Sequence, residues 1–259
     1  MRTKNRFITS PKITIERAKD SKISVVLLCD KAGHRMKSYG ATSLVKIGTA
    51  KLIDMQISSI ARVFKHFEIV VCGGFESEKV VRYIRDKYRG IDVRFVENQV
   101  FQHTNCCESL RLSLNNVSND KVLICNGSIL ITDQLLQFID DRTSSIIYEK
   151  HENKNLEVGV VVSKNGRPEN FCYGIGKKWS EVLFLSGYPA IETMRKVISS
   201  IEYKNKFIFE ALNEMIKTKT LFESIENIGR PIIKISNIKT YHEVSKAYAR
   251  TNTKLFNKQ

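Results

Sequence analysis

Three nearly continuous apolar runs constrain the fold of this chain more than any other feature. They are ISVVLLC at 23–29, FEIVVCGG at 67–74 and KVLICNG at 121–127. A strand with one wet face alternates apolar and polar residues, whereas a parallel strand covered by helices on both faces is apolar throughout. The three runs therefore predict buried parallel strands of one sheet.

Helical patterns separate these runs. Apolar residues recur at helical spacing in TAKLIDMQISSIARVFKHF at 49–67, and three further segments are typical of helices: SEKVVRYIRDKY, CCESLRLSLNNV and ITDQLLQFIDD. Ser77 is the expected N-cap of the second helix, and Thr132 or Asp133 that of the last. IDVRFVEN at 91–98 alternates like a strand. This order predicts an α/β fold with a Rossmann-like, doubly wound, mostly parallel sheet.

The second half of the chain is mixed. IIYEK, EVGVVVS, FCYGIG and IIKISNI have strand-like composition, while IETMRKVISSI, KFIFEALNEMIKT and HEVSKAYAR have helical spacing. We expect one domain over residues 23–247. It is flanked by a basic N-terminal arm (1–22) and a basic C-terminal tail (248–259).

The charge points to anionic partners. The chain has 42 Lys and Arg against 27 Asp and Glu, a formal net charge of +15, and the arm alone has seven basic and two acidic residues. Such an excess favours polyanions, acidic protein surfaces or charged substrates. We expect protein partners to be bound through the terminal arms, in a larger assembly, with nucleic acid as an open alternative.

Other classes of protein are disfavoured. No apolar run approaches the ~20 residues of a membrane span, and the start of the chain lacks the apolar core of a secretory signal. The six cysteines form no CxxC pair, which favours buried thiols over a zinc site. We therefore expect a soluble, intracellular protein, or one incorporated in a viral particle.

The first predicted strand leads into a loop where phosphate could bind. In LLCDKAGHRM, backbone N–H groups converge between a strand and a helix, which is where many proteins hold phosphate. Only Gly33 lies in the tight part of the loop. The pattern by itself favours an ordinary strand–helix connection.

The wider context resembles the sugar-phosphate and choline-phosphate nucleotidyltransferases. VVLLCDKAGHRM is similar to their first loop, LAAGxGxRM, and ATSLVKIGTAKLIDMQI and IVVCGGFESEKV follow in place of PKxL and VxGY. VRFVENQVFQHTNCCESL resembles VxFVxNPxYxxTNNxxSL, which is the most specific match. VLICNGSI falls where the family has a strand ending in DGD, and IKISNIKTYHEVSKA resembles VxxIDTPEDLxxA. The resemblance spans residues 23–247 and implies a MobA-like, GT-A-like NTP-transferase fold.

The resemblance also implies a chemistry. In the family, an acceptor oxyanion attacks the α-phosphate of a nucleotide and pyrophosphate leaves, assisted by a glycine loop, a lysine and Mg²⁺ on two carboxylates. The corresponding positions here are Lys31, Thr42, Ser128 and Lys239. A side chain at Lys31 would crowd the loop, Ser128 is a poor Mg²⁺ ligand, and Lys239 would repel the ion. We expect no metal and no cofactor. If the protein is active, the resemblance implies Mg²⁺ with CTP or UTP.

Other family positions keep their residues. The resemblance implies a remnant nucleotide pocket at Gly33, Arg35, Asn98, Thr104 and Asn105. The loop from Asn98 to Ser109 is explained better by hydrogen bonds that stabilise a turn before a helix.

Two further features leave alternatives open. Lys31, Lys37 or Lys46 could replace the missing lysine, and Asp30 could supply a carboxylate at the strand end. Trp179 resembles the family's substrate-side wall but is equally compatible with packing, and Lys177-Lys178 is typical of a solvated turn.

The missing charges favour a loss of catalysis. Our leading hypothesis is a nucleotidyltransferase fold that serves as a binding or structural component of an assembly, such as a virus or phage particle. The first alternative is an active nucleotidyltransferase that joins CTP or UTP to a phosphorylated small molecule. The second is a nucleic-acid-associated basic protein. Pyrophosphate release would identify the first alternative, and steep salt dependence of binding the second.

Overall fold

A computed structural model describes residues 19–153, 157–229 and 231–256, and every structural statement below concerns that part of the chain. The strands are β1 (Lys19–Leu28), β2 (Lys46–Ile47), β3 (Ala50–Lys51), β4 (Phe64–Gly73), β5 (Val93–Glu97), β6 (Lys121–Asn126), β7 (Ile129–Leu130), β8 (Ser145–Glu152), β9 (Val158–Val162), β10 (Pro168–Tyr173), β11 (Lys177–Ser186), β12 (Glu223–Asn227) and β13 (Ile233–Lys234).

The helices are α1 (Leu52–Val63), α2 (Ser77–Lys87), α3 (Cys106–Leu114), α4 (Asp133–Gln137), α5 (Tyr188–Ser199), α6 (Ile208–Lys217) and α7 (Ile238–Phe256). Short 3-10 helices cover Lys37–Tyr39, Thr42–Leu44 and Ile201–Asn205. None of the helices in the described ranges is long and apolar enough to cross a membrane.

One nine-stranded sheet organises the molecule. Its main path runs β10-β9-β11-β6-β1-β4-β5, with β8 paired to β11 and β12 paired to β8. The neighbours β6, β1, β4 and β5 are parallel, while β11 is antiparallel to β6 and β8. The predicted fold class is confirmed: a mostly parallel α/β sheet with flanking helices in one domain.

The apolar runs form the centre of this sheet because both faces of its strands are covered. Along β1, Val26 and Leu28 belong to the apolar core on one face. Val25 and Leu27 belong to the core on the other face. All four are buried. Each such side chain contributes about 1.5–3 kcal/mol by leaving water, so the continuous apolar pattern stabilises both layers.

Several predicted boundaries differ from the structure. The helix predicted at 49–67 ends at Val63, because the chain enters β4 at Phe64 and the Phe64 side chain packs into the core. Ser77 is the first residue of α2, and the residue before it, Glu76, is the N-cap. Thr132 does cap α4, where its side chain accepts a hydrogen bond from the Leu135 N–H.

The ends of the predicted domain also differ. The arm was predicted over 1–22, but Lys19–Lys22 belong to β1, where Lys19 and Lys22 pair with β4. Residues 1–18, including the segment KITIE, lie outside the described residues. Helix α7 continues to Phe256 through most of the predicted tail. The prediction that the termini bind protein partners remains a prediction.

Candidate functional site

A crevice opens at the carboxyl ends of β1 and β6. These parallel strands are neighbours, and β4 and β5 lie on one side of them and β11 on the other. Ligands of open α/β sheets bind at such a point because the loops of the two strands diverge there. The cavity has a volume of about 440 Å³, within the ~300–1,000 Å³ of typical small-molecule sites. Most of its wall comes from residues 28–34, 126–129, 178–181, 207–209 and 234–236.

The loop after β1 is held by two of its own N–H groups. The Gly33 N–H donates to Thr42 Oγ1 at 2.9 Å, and the His34 N–H donates to the Ser236 carbonyl at 2.7 Å. A Cβ at Gly33 would lie 3.0 Å from the Ser236 oxygen, so glycine allows the late segment to approach. Both N–H groups are therefore satisfied by the protein itself, and neither is free to hold phosphate.

Thr42 fixes this loop. Its side chain lies in the crevice wall, is only 2% exposed, and accepts the Gly33 hydrogen bond. The position where the family resemblance implies a lysine therefore has an uncharged, structural role. Arg35, Lys37 and Lys46 are exposed and do not belong to the crevice wall.

Lys31 lies at the mouth of the crevice. Its side chain is exposed, and its Nζ donates to the Thr104 carbonyl at 2.5 Å. The lysine thus links the loop after β1 to the loop before α3. The expected crowding of the loop does not occur, because the side chain extends away to Thr104.

The loop before α3 is stabilised by buried polar groups. Asn98 Nδ2 donates to Thr104 Oγ1 at 3.0 Å and to Ser109 Oγ at 2.9 Å, and Asn98 Oδ1 accepts the Val100 N–H at 3.2 Å. Of the residues assigned to the nucleotide pocket in this loop, Asn105 lines the crevice, and its Nδ2 donates to the Asn205 carbonyl at 2.8 Å. These contacts give Asn98 and Thr104 a structural role.

Ser128 begins a chain of polar contacts on the opposite wall. Its hydroxyl donates to Asn126 Oδ1 at 2.8 Å, and Asn126 Nδ2 donates to Glu181 Oε2 at 3.3 Å. The other oxygen of Glu181 accepts from Lys234 Nζ at 2.5 Å. This wall therefore has an ion pair within reach of a bound ligand.

Lys239 does not belong to the crevice. It is exposed in the first turn of α7, and the late segment reaches the cavity instead through Lys234, Ile235 and Ser236. The segment is positioned by the pairing of β13 with β7 and by Asn237, whose Oδ1 accepts the Thr240 N–H at 2.9 Å. The expected repulsion of a metal ion by Lys239 is therefore not present in this geometry.

Lys177 and Lys178 belong to β11 rather than to the predicted solvated turn, and Trp179 follows them in the same strand. Lys178 lines the crevice and pairs with Glu157 at 2.9 Å. Trp179 is 6% exposed and its ring packs edge-on against Phe171 at 5.5 Å, although it also contributes to the wall. Trp179 therefore has both of the roles that the sequence left open.

Asp30 is a buried acid at the end of β1. It is 3% exposed, and its Oδ2 has no hydrogen-bond partner in the described structure. Burial raises the pKa of this carboxyl above 3.8, and a contact with Ser109 offsets part of that increase. A buried carboxyl with one unpartnered oxygen in a crevice wall is costly for folding and is typical of a functional site.

The described side chains do not form a complete Mg²⁺ site by themselves, and the Asp30 oxygen without a partner is the carboxylate that would hold the ion together with nucleotide phosphates. The ion requires a near-octahedral shell of oxygens, usually with one or two free carboxylates. Within the described ranges, no three His, Cys, Asp or Glu side chains are arranged to hold a metal. The Ser128 hydroxyl is engaged by Asn126, and both Glu181 oxygens have partners. The positive charge in the crevice comes from lysines.

Three aromatic residues form part of the crevice wall. Tyr173 packs edge-on against Phe209 at 5.3 Å, and Phe207 stacks on Phe209 at 5.9 Å. All three rings belong to residues of the wall. The rings offer an apolar surface to a ligand, and the charges of Lys234 and Glu181 act on the Tyr173 hydroxyl.

Sequence reasoning missed Glu181 and Lys234. Their signals are weak along the chain, since the family resemblance implies no role for either residue. In the structure Glu181 has a φ of 57°, in the left-handed region, and β11 changes register against β8 between Trp179 and Leu183. Such a backbone costs ~1–3 kcal/mol and is common at functional sites. Only three-dimensional coordinates show this irregularity.

The sheet order and the crevice together define the class of protein. The chain has the α/β fold of the nucleotidyltransferases, as the motifs predicted. The CTP:phosphocholine cytidylyltransferase of Streptococcus pneumoniae superimposes with a TM-score of 0.69 and 17% identity, over 87% of this chain and 98% of that one. The inositol-1-phosphate CTP transferase of T. maritima gives 0.69 and 15%, over 87% and 95%. A nucleoside-diphosphate-sugar pyrophosphorylase of Vibrio cholerae gives 0.68 and 11%, over 86% and 99%.

Similarity in amino-acid sequence covers a smaller part of the chain than similarity in structure does. The bifunctional protein GlmU of Methanococcus aeolicus is 21% identical over 146 residues, which are 55% of this chain and 34% of that protein. The aligned part thus spans about a third of the relative's length. No family model matches the chain.

These findings overturn the leading functional hypothesis. The expectation of a fold that has lost catalysis, as a structural or virus-particle component, is wrong, because proteins that share this fold over most of the chain are transferases of CTP and related nucleotides. Two of the residue changes expected to prevent catalysis do not affect the crevice in that way. Lys239 lies outside the crevice, Lys31 does not obstruct it, and two lysines that the motifs did not indicate line its wall.

Proposed function

We propose that this protein is a nucleotidyltransferase that joins CTP or UTP to a phosphorylated small molecule. The observation that carries the proposal is a crevice of about 440 Å³ at the ends of β1 and β6 with lysines in three of its walls. Lys31, Lys178 and Lys234 come from different elements and meet only there. The named activities of the structural relatives support the same class of substrate.

The lysines reduce the electrostatic repulsion between the two anionic substrates of such a reaction. A nucleoside triphosphate and a phosphate monoester are both strongly anionic, and two unit charges at 4 Å repel by about 4 kcal/mol at an effective dielectric constant near 20. Ammonium groups placed around the reacting phosphates reduce this repulsion and stabilise charge that develops in the transition state. Catalysis of phosphoryl-type transfer consists mainly of such positioning.

The proposed reaction balances without a redox partner. An oxygen of the acceptor phosphate forms a bond to the α-phosphorus, and the bond from that phosphorus to the oxygen bridging to the β-phosphate breaks. Pyrophosphate leaves with the electron pair. The aromatic residues of the wall, Tyr173, Phe207 and Phe209, are available for the organic part of a substrate.

The first experiment is an acceptor-dependent assay of pyrophosphate release. The full-length protein is incubated with the magnesium complex of CTP or UTP and with choline phosphate, inositol 1-phosphate or glucose 1-phosphate. We expect pyrophosphate and a nucleoside-diphosphate product in equal amounts with at least one pair. Absence of product with every pair, together with no thermal stabilisation by CTP or UTP, would contradict the proposal.

A matched pair of variants tests whether the crevice carries the activity. In Lys234→Met the Glu181 carboxylate loses its 2.5 Å partner and faces the phosphates uncompensated. We expect kcat/KM to fall at least about tenfold, or ~1.4 kcal/mol of transition-state stabilisation. Lys196→Met, an exposed lysine of α5 outside the crevice wall, should retain wild-type kinetics.

A further inference from the structure

Lys31 differs from the other two lysines of the crevice in its partner. Lys178 pairs with Glu157 at 2.9 Å and Lys234 pairs with Glu181 at 2.5 Å, so their charges are largely neutralised before any ligand binds. The hydrogen-bond partner of Lys31 is the Thr104 carbonyl at 2.5 Å, and no carboxylate oxygen of the described residues lies within 4 Å of its ammonium group. Lys31 therefore has no direct ion-pair partner among the described residues, and the acid whose charge it affects is its buried neighbour Asp30.

The backbone of the loop that contains Lys31 offers fewer free N–H groups than a usual phosphate-binding loop. A phosphate-binding loop normally offers several free N–H groups. Here the N–H groups of Gly33 and His34 already donate to Thr42 Oγ1 and to the Ser236 carbonyl. Two N–H groups of the loop are thus unavailable to an anion, and a charged side chain beside them strengthens its binding.

The contact with Thr104 is easily exchanged. The Lys31 side chain is exposed and flexible, whereas Thr104 is fixed by the Asn98 hydrogen bond at 3.0 Å. A hydrogen bond from an ammonium to a phosphate oxygen has charge on both partners and is roughly twice as strong as one between neutral groups. Exchange of the carbonyl for a phosphate therefore favours the bound state.

We propose that Lys31 is the principal triphosphate-binding side chain of this protein and that it leaves the Thr104 carbonyl to bind the nucleotide. This inference rests on the proposed function and identifies the side chain that binds the triphosphate of its nucleotide substrate. The side chain adds a positive charge to a loop in which two N–H groups are already engaged by the protein. Lys37 and Lys46, the other basic residues near the loop, are exposed outside the crevice wall and do not compete for this role.

The test compares Lys31→Ala, Lys31→Arg and the matched control Lys37→Ala in the full chain. Calorimetry measures binding of CTP and UTP without an acceptor, and steady-state kinetics measure KM for the nucleotide, KM for the acceptor and kcat. We expect Lys31→Ala to weaken triphosphate binding at least tenfold while its melting temperature and its affinity for the uncharged nucleoside stay unchanged. Lys31→Arg should restore most of the affinity, and Lys37→Ala should match the wild type.

The outcomes separate the two proposals. If the wild type binds CTP or UTP and Lys31→Ala binds it within twofold of the wild type, the role of Lys31 is overturned while the proposed function stands. If the wild type binds triphosphate but releases no pyrophosphate, the assigned activity fails, and the Lys31 variants still decide the binding role. If the wild type binds neither nucleotide, both proposals are overturned.

Discussion

Asp30 shows how a single buried acid affects the stability of this protein. Since burial raises the pKa of its carboxyl above 3.8, its contribution to stability is complete below pH 3.8 and is lost as the pH rises through the raised pKa. We expect Asp30→Asn to be more stable than the wild type at pH 7, with the difference disappearing as the pH falls to 3.8. Urea denaturation between pH 4 and pH 8 would measure this.

Asp54 provides a comparison for Asp30, because the pKa of its carboxyl is shifted in the opposite direction. Burial raises the pKa of Asp54, but hydrogen bonds from Lys87, Tyr83 and Tyr88, at 2.7, 2.6 and 2.6 Å, more than offset this and hold the pKa below 3.8. Its contribution to stability is present above pH 3.8 and is lost as the pH falls through the lowered pKa. Asp54→Asn should therefore lose about 1–3 kcal/mol at pH 7. A stability gain in this variant, or a loss in Asp30→Asn at pH 7, would refute the assignment.

Helix α6 protects an edge of the sheet. The edge strand β10 would expose unpaired backbone groups, which are a hazard for aggregation. Asn213 of α6 covers two of them: its Oδ1 accepts the Phe171 N–H at 2.7 Å, and its Nδ2 donates to the Phe171 carbonyl at 2.8 Å. One side chain thus replaces a missing neighbouring strand at this position.

Removal of the Asn213 side chain should lower the stability of the protein more than removal of an ordinary polar side chain at the surface does. We expect Asn213→Ala to lower the free energy of unfolding by about 2 kcal/mol, since two partly buried backbone groups lose their partners. Lys217→Ala, on the same helix, removes only an exposed ion pair with Glu214 and should change stability by less than about 0.5 kcal/mol. Equal effects of the two variants in chemical denaturation would show that Asn213 has no edge-protecting role.

At the scale of the whole molecule, the two apolar cores share their strands. Alternate residues of β1 and β6 belong to one core and to the other, as Ile124 and Cys125 show. Loss of either core would expose one face of the same central strands. We therefore expect the domain to unfold in a single cooperative step.

Trp179 provides a local probe for this expectation. It is the only tryptophan of the chain and packs in the core on one face of the sheet. Its fluorescence and the far-ultraviolet circular dichroism should report the same urea midpoint within error. Two separated midpoints would show that the halves of the domain unfold independently.

The sequence by itself determined the elements and the class of fold. Continuous apolar runs specify strands buried on both faces, and helical spacing specifies the layers that cover them, because each pattern depends on residues near one another along the chain. The ordered motifs from ISVVLLC to IKISNI also located Lys31, Gly33, Thr42, Asn105 and Ser128, all of which line the crevice.

Which charged side chains come into contact in the crevice depends on the tertiary structure. Lys234 and Glu181 lie 53 residues apart and come together because β13 pairs with β7 beside β6 and because β11 is irregular at Glu181. The same pairing excludes Lys239 from the crevice, although its place in the motif pointed to the site. Periodicity is a local property, whereas the neighbours of a side chain across a sheet depend on strand order and register. A one-residue change of register turns every side chain of a strand to the opposite face, so these contacts followed only from the coordinates.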